Sequence, residues 1–494
     1  MKNFRFPFAI PLVCAIFAEK TDLLYKQHDM KRREFLRSTA LIAAATGMNG
    51  VAQAAPALRA EEKKEDAAAE EQKPLLASAP MLQNYAETSM GVAFAVSALA
   101  NGYVLLSEKP DMSDARKVKG GGFRTTDISD RVILVRLTGL KPATTYYYRI
   151  GADRIEYKGG YSMKVLGNEE DPRTYHFTTA GAGAEAHFCV INDTHVQWTP
   201  FGAAIEKVAQ LAPSCVIWNG DASNTEETIE AQMRIYLQPG IDRKDYAACL
   251  PYLFCPGNHD ERGMANRHLE RVWMFRQQDE RPGRDWDLGR NFAVRMGDIA
   301  MIGLDTGEDK LDSDKRFAGL FNNEAYRVAQ TEWLRDALLQ PEIARAPFLV
   351  AFCHIPLYDS RPKLNPGDVS AEEAKGKYSA DYAGWQRTCA QLWTPLLAQA
   401  GCQVIITAHQ HCYRYDAPDE TRPWAHIVGG GPNMGFVGEG EKRRETPNLF
   451  PTVIEGCVKD GRLQVTVHNC VTGLVQDSFS YAPRKVKKRL KFKV

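Results

Sequence analysis

His187-Phe188-Cys189-Val190-Ile191-Asn192-Asp193-Thr194-His195 is an apolar run that breaks directly into a polar Asp-x-His turn. Four later runs end the same way. Cys215 to Trp218 precedes Gly220-Asp221, and Tyr252 to Phe254 precedes Gly257-Asn258-His259-Asp260. Phe348 to Phe352 precedes His354, and Val404 to Thr407 precedes His409-Gln410-His411. Short apolar runs bounded by turn residues read as buried strands, so each polar block is expected at a strand end. Helical periodicity lies between them: Trp385, Cys389, Leu392 and Leu396 recur at i, i+4, i+7 and i+11. This alternation predicts an α/β fold with helices on sheet, and such sheets bind ligands beyond the carboxyl ends of their strands. Apolar runs at Ile299 to Leu304 and at Leu463 to Val467 predict a second sheet.

The polar residue types suit one task. Two cations about 3.5–4 Å apart need oxygen and imidazole ligands with one carboxylate shared between them. Asp193 and His195, two apart, can reach one ion, His409 and His411 can reach neighbouring ions, and Asp221 is the natural bridge.

The five ordered blocks resemble the calcineurin-like metallophosphoesterase superfamily, whose pattern is D-x-H, G-D, G-N-H-D/E, H and G-H-x-H, across residues 185–435. The resemblance implies an αββα sandwich with two divalent or trivalent metal ions, Fe, Zn or Mn. Carried over by position, it gives the first metal Asp193, His195 and His411, the second Asn258, His354 and His409, and both of them Asp221. It makes His259 the acid facing the leaving-group oxygen, with Asp260 holding the other ring nitrogen, and has Asn258 orient substrate as well as ligate. Ala408 stands where the family usually has Gly. In the purple acid phosphatase branch the second block ends in a metal-bound Tyr, whereas Gly220-Asp221-Ala222-Ser223-Asn224 ends in Asn. His195 offers a nitrogen in place of that phenolate, so a purple iron-phenolate centre is not expected.

Arg262 and Arg414 follow two of the blocks closely, and a guanidinium fork matches phosphate oxygens. Both are therefore candidate substrate-binding residues, as are the loops Asp305 to Asn323 and Asp359 to Tyr382, which flank the blocks. His28, His176, His187, His268, His426 and His468 have no motif around them and read as structural or surface histidines.

Residues 81–181 differ in pattern. Val92, Phe94 and Val96 alternate onto one face, and Asn101-Gly102 is a hairpin dipeptide. Leu140-Lys141-Pro142-Ala143-Thr144-Thr145-Tyr146-Tyr147-Tyr148-Arg149-Ile150 and His176-Phe177-Thr178-Thr179 resemble fibronectin type III domains, which implies an all-β sandwich ahead of a catalytic region at 185–483. A tyrosine in that stretch is expected to bond back to the backbone at a sandwich corner.

Met30-Lys31-Arg32-Arg33-Glu34-Phe35-Leu36, the apolar Ala40 to Ala45 and Ala52-Gln53-Ala54 read as a twin-arginine export signal within residues 1–54, with Met30 as an alternative start. The expected partner is the twin-arginine export machinery, and the expected location periplasmic or secreted. Residues 55–80 contain Glu61-Glu62-Lys63-Lys64-Glu65-Asp66 and read as a charged linker. Residues 484–494, basic and apolar in alternation, read as an edge strand or tail.

A net charge of +1 among 494 residues gives no basic field for nucleic acid, and no 18-residue apolar stretch predicts a membrane span. The eleven cysteines lack a C-x-x-C pair; Cys189, Cys215, Cys255, Cys353 and Cys402 lie in or beside apolar runs and read as buried thiols, while an oxidising compartment would allow bridges among Cys412, Cys457 and Cys470. The expected function is an exported phosphomonoesterase acting on a small-molecule phosphoester through metal-activated water. A phosphodiesterase for nucleotide, glycerophosphodiester or phospholipid head-group substrates and a non-catalytic binding module are the alternatives.

Overall fold

The computed structural model describes residues 73–120, 128–275, 286–357, 388–389, 391–420, 422–433, 436–437, 444–445, 448–486 and 492. The export signal, the acidic part of the linker, the 359–382 loop and Trp385 lie outside them, and Pro74–Val494 is one compact unit.

Two sheets face each other. The first contains His187–Ile191, Cys215–Trp218 and Tyr252–Phe254 as parallel neighbours. The second runs Phe292–Met296, Ile299–Leu304, Phe348–Cys353, Val404–Thr407, Ala425–Val428 and Arg414–Asp416, with its four inner strands parallel. Phe188, Ile217 and Leu253 from the first sheet share a core with Met301, Val350, Phe352 and Ile406 from the second. The outer face of the first is covered by helices Trp198–Leu211 and Ile229–Tyr236 through Phe201, Ile205, Val208 and Met233. Helices Asn323–Leu339, Pro341–Arg345 and Thr394–Ala400 cover the second through Leu334, Leu338, Ile343 and Leu397. Strands buried on both faces have no polar side to alternate, which is why their sequences are continuous apolar runs. The result is an α/β sandwich of two sheets between two helical layers.

Several expectations are corrected. Arg462–Asn469 belongs to the first sheet, because it forms a hairpin with Thr452–Lys459, which pairs antiparallel with His187–Ile191. The N-terminal β region is not self-contained. Met81–Gln83 pairs parallel with Tyr252–Phe254 and carries Ser89–Ala95 and Val132–Thr138 into the same nine-stranded sheet. Accordingly Ser89–Ala95 is buried throughout: Val92 and Phe94 face a core shared with Val104 and Tyr148, while Ala93 and Ala95 join the core beneath the helices. The opposing sheet is built on Arg116–Lys119, Ala100–Ser107, Thr145–Tyr157 and Met163–Glu170, with Tyr175–Thr178 also on Thr145–Tyr157. Asn101 and Gly102 lie inside a strand rather than at a turn, because Ile133 packs where a Cβ on Gly102 would stand. The corner tyrosine is Tyr146, whose hydroxyl accepts from Lys141 N at 2.9 Å. Tyr148 donates to Ala248 O at 2.6 Å, tying this region to the loop before Tyr252.

Residues 74–80 are packed rather than linker-like: Leu75 is buried and Ala77 N donates to Ala95 O at 2.9 Å. Residues 484–486 form no strand. Instead Arg484 donates to Ala346 O at 2.9 Å and Ala400 O at 2.7 Å, carbonyls at the ends of two helices. The ten described cysteines are free thiols, so the bridge considered among Cys412, Cys457 and Cys470 is not formed. No helix among the described residues is long and apolar enough to cross a membrane.

A candidate two-cation centre at the strand ends

Parallel strands end together, so the loops after five of them converge on one edge of the sandwich. Five of the residues carried there sit in the left-handed backbone region, with φ of +46° at Asp193 and His195, +50° at Asp221, +70° at His409 and +55° at His411. Each such residue costs about 1–3 kcal/mol and persists only where its surroundings impose it. Here they do. Asp193 N and His195 N donate to Gly220 O and Asp221 O, each at 3.0 Å, His409 N donates to Asp193 Oδ2 at 3.0 Å, and Ala408 N donates to His354 O at 2.7 Å. Gly220 combines φ of +81° with a site where a Cβ would lie 2.3 Å from His354 Nδ1.

Asp193, His195, Asp221 and His411 form one group whose ligand atoms all lie within 4.8 Å of one another; Asp221, His354 and His409 form another. Asp221 belongs to both. Its Oδ2 is 3.4 Å from His195 Nε2 and 3.1 Å from His354 Nε2, and Asp193 Oδ1 is 3.4 Å from His411 Nε2. Asn258, the seventh residue expected, is buried on the same loop as His259.

The donor set fits cations. Asp193 Oδ1 and Asn258 Oδ1 are buried oxygens that receive no hydrogen bond, a costly state unless a positive charge meets them. His354 Nδ1 lies 2.9 Å from Asn219 O and His195 Nδ1 2.9 Å from Asn224 Oδ1. Those acceptors take the Nδ1 protons and aim both Nε2 lone pairs at Asp221, the usual way an outer partner orients a ligating imidazole. Burial pushes His409 down to about 4, leaving it neutral and able to ligate.

His259 stands beside this cluster. Its backbone N donates to Asp221 Oδ1 at 2.9 Å, its Nδ1 is 3.2 Å from Asn224 O, and its ring meets His195 edge-on at 4.9 Å. Asp260 does not hold the imidazole as the resemblance implied. The tight turn His259–Glu261 swings its carboxylate inward, where Oδ2 accepts from Asp221 N and Gly257 N, both at 2.8 Å, and Oδ1 accepts from Ser223 N at 3.0 Å and Ser223 Oγ at 2.8 Å.

Neither arginine presents a fork to the cluster. Arg262 spends its fork on Glu308, with Nε and Nη2 at 2.8 and 2.7 Å, and Nη2 also meets Asp309 at 2.9 Å; Nη1 lies 3.0 Å from His259 Nε2. Arg414 donates to Asp416 at 3.1 Å and to Gln410 Oε1 at 2.6 Å, bracing the His409-Gln410-His411 turn. Of the motif-free histidines, His187 and His468 share Glu455 and His426 meets Thr407 and Asp416; none of the described ones joins the ligand groups.

Sequence reading missed four supports. Asn224 serves His195 through its side chain and His259 through its carbonyl. Asn219 donates to Cys353 O at 3.1 Å and Ile406 O at 3.3 Å, joining the two sheets. Asn192 donates to Asp193 Oδ2 at 2.7 Å. Gly431 lets the chain pass His411, since a Cβ there would lie 2.6 Å from the His411 Cα. The run Gly429-Gly430-Gly431 was the visible signal for that close approach.

The family model described as Calcineurin-like phosphoesterase matches residues 186–413, which contain every residue of both ligand groups. That stretch, a little under half of the chain, is what is similar to a calcineurin-like phosphoesterase domain. Purple acid phosphatase 18 of Arabidopsis thaliana is 21% identical over 297 residues, covering 56% of this chain and 56% of that protein. The chain thus spans little more than half the length of the curated relative it matches. Among solved structures, the purple acid phosphatase PPD1 from yellow lupin (Lupinus luteus) seeds superposes with a TM-score of 0.57 at 13% identity, over 83% of this chain and 75% of that one. PhoD superposes with a TM-score of 0.52 at 13% identity, over 85% and 95%. At such identities these likenesses show the fold alone, for the two-sheet sandwich and the sheet-rich region ahead of it.

Proposed function

We propose that this chain is an exported phosphomonoesterase that works with two cations held by Asp193, His195, Asp221, Asn258, His354, His409 and His411. The observation that carries this reading is the membership of Asp221 in both ligand groups. Bound there, two cations supply a water acidified to near neutral pH and positive charge for the phosphoryl oxygens. The chain's own residues do the rest. Asp221 and Asp193 set the spacing of the site, and Asn258 orients the phosphoryl group. Asn224 O takes the Nδ1 proton and Nε2 accepts from Arg262 Nη1; to act as the acid, His259 carries a second proton at Nε2 and delivers it to the departing oxygen once substrate displaces that contact. Arg262 Nη1, 3.0 Å from that nitrogen, adds positive charge where the departing oxygen becomes negative. Export rests on Arg32-Arg33 and the apolar stretch that follows.

Hydrolysis of p-nitrophenyl phosphate against bis-p-nitrophenyl phosphate, after loading with Mn, Zn or Fe in turn, tests this reading. The monoester is the expected better substrate. A preference for the diester would assign the site to phosphodiesters, and no turnover with any metal would assign it to binding.

A further inference from the structure

A cavity of about 860 Å³ lies between the turn after His259–Glu261, the Trp286–Arg290 segment and the start of helix Asn323–Leu339. Its size is that of a small-molecule site. Trp273, Phe275, Trp286 and Tyr326 supply flat aromatic wall, with the Trp286 and Tyr326 rings 6.1 Å apart.

Four of the charges around it, on Arg290, Glu261, Asp305 and Glu270, are matched. Arg290 lies 3.5 Å from Glu261 and 3.9 Å from Asp305 and covers the Phe275 ring at 5.3 Å. Tyr326 donates to Asp305 at 3.2 Å, and at the rim Glu270 faces His268 at 3.3 Å. Arg136, projecting from Val132–Thr138, lines the same cavity with a buried Nη1 that finds no acceptor, and no carboxylate among the described residues pairs with it. Burial alone lowers it to about 10, so it remains a cation at neutral pH. An unpaired, largely buried guanidinium is a costly arrangement for a folded chain, and its planar fork suits an anionic group in particular.

We propose that this cavity is a second ligand site, separate from the cation centre, that takes a planar organic anion, with Arg136 receiving the anionic group and the tryptophan and tyrosine rings receiving the flat body. The inference does not depend on the hydrolytic reading, since no residue of either ligand group lines the cavity.

Trp273 and Trp286 make binding readable as a change in tryptophan fluorescence. The probes are 2-naphthoate and its uncharged isostere 2-naphthamide, titrated into the full chain. Wild type is expected to bind naphthoate saturably and more tightly than naphthamide. Arg136→Met is expected to weaken naphthoate about 10–100-fold, the loss of a charge-assisted contact, and to leave naphthamide unchanged. Because nothing among the described residues pairs with this guanidinium, the Met variant is expected to melt no lower than wild type. Equal naphthoate affinity in Arg136→Met, or no saturable binding to wild type, overturns the proposal. A clear fall in melting temperature would give Arg136 a structural task and overturn it too. Should the Met variant not fold, Arg136→Gln must show the same selective loss.

Discussion

His259→Ala lowers turnover of an alkyl phosphate by about 10²–10⁴-fold, the usual worth of a positioned general acid, while the chain keeps its full complement of cations. The imidazole belongs to neither ligand group. What His259 gives the centre structurally is its backbone N–H, which donates to Asp221 Oδ1 at 2.9 Å and survives in alanine. The lost part is a ring held by Asn224 O, whose proton matters only when the departing oxygen needs one. The deficit therefore shrinks when p-nitrophenolate, a good leaving group, replaces the alkoxide. Steady-state kinetics on both substrates with metal analysis of the same samples checks this. A fall in cation content would make His259 a ligand and contradict the assignment.

Asp260→Ala does the reverse, destabilising the fold and emptying the centre. The carboxylate accepts from three backbone N–H groups and one hydroxyl in a wholly buried position. Each buried donor left unmet costs about 1–3 kcal/mol, so the sum is on the order of 4 kcal/mol or more. One of those N–H groups belongs to Asp221, whose φ of +50° depends on such restraint. Its carboxylate would then no longer be aimed at both ligand groups, and cation affinity falls with stability. Asp260→Asn fares little better, because an amide nitrogen would face other N–H groups. Urea unfolding and metal content measured side by side decide the matter: a variant as stable as wild type would remove Asp260 from the frame of the site.

The site was legible because its chemistry is local. Each polar block follows its own strand, and parallel strands bring their ends together without help from distant sequence. The helical layers and buried parallel strands were legible for the same reason, through period and apolar continuity. What was hidden depends on register and on side-chain competition. Nothing in Met81–Gln83 announces that Gln83 pairs with Tyr252, so the merging of the N-terminal region into the catalytic sheet was not readable. Asn101-Gly102 carries a turn signal that the packing of Ile133 overrides. Arg262 and Arg414 had carboxylates near them in sequence or space, and ion pairing with Glu308 and Asp416 took the forks proposed for phosphate. Asp260 was misassigned for a related reason: adjacency to His259 suggested contact with the ring, whereas the tight turn places the two side chains on different partners.

The account turns on two cations sharing Asp221. Titration of the metal-free full chain with Mn²⁺, followed by electron paramagnetic resonance, measures this directly. The expected result is two Mn²⁺ per chain with a spin-coupled signal, and loss of coupling in Asp221→Asn. A single uncoupled Mn²⁺ per chain at saturation would contradict it.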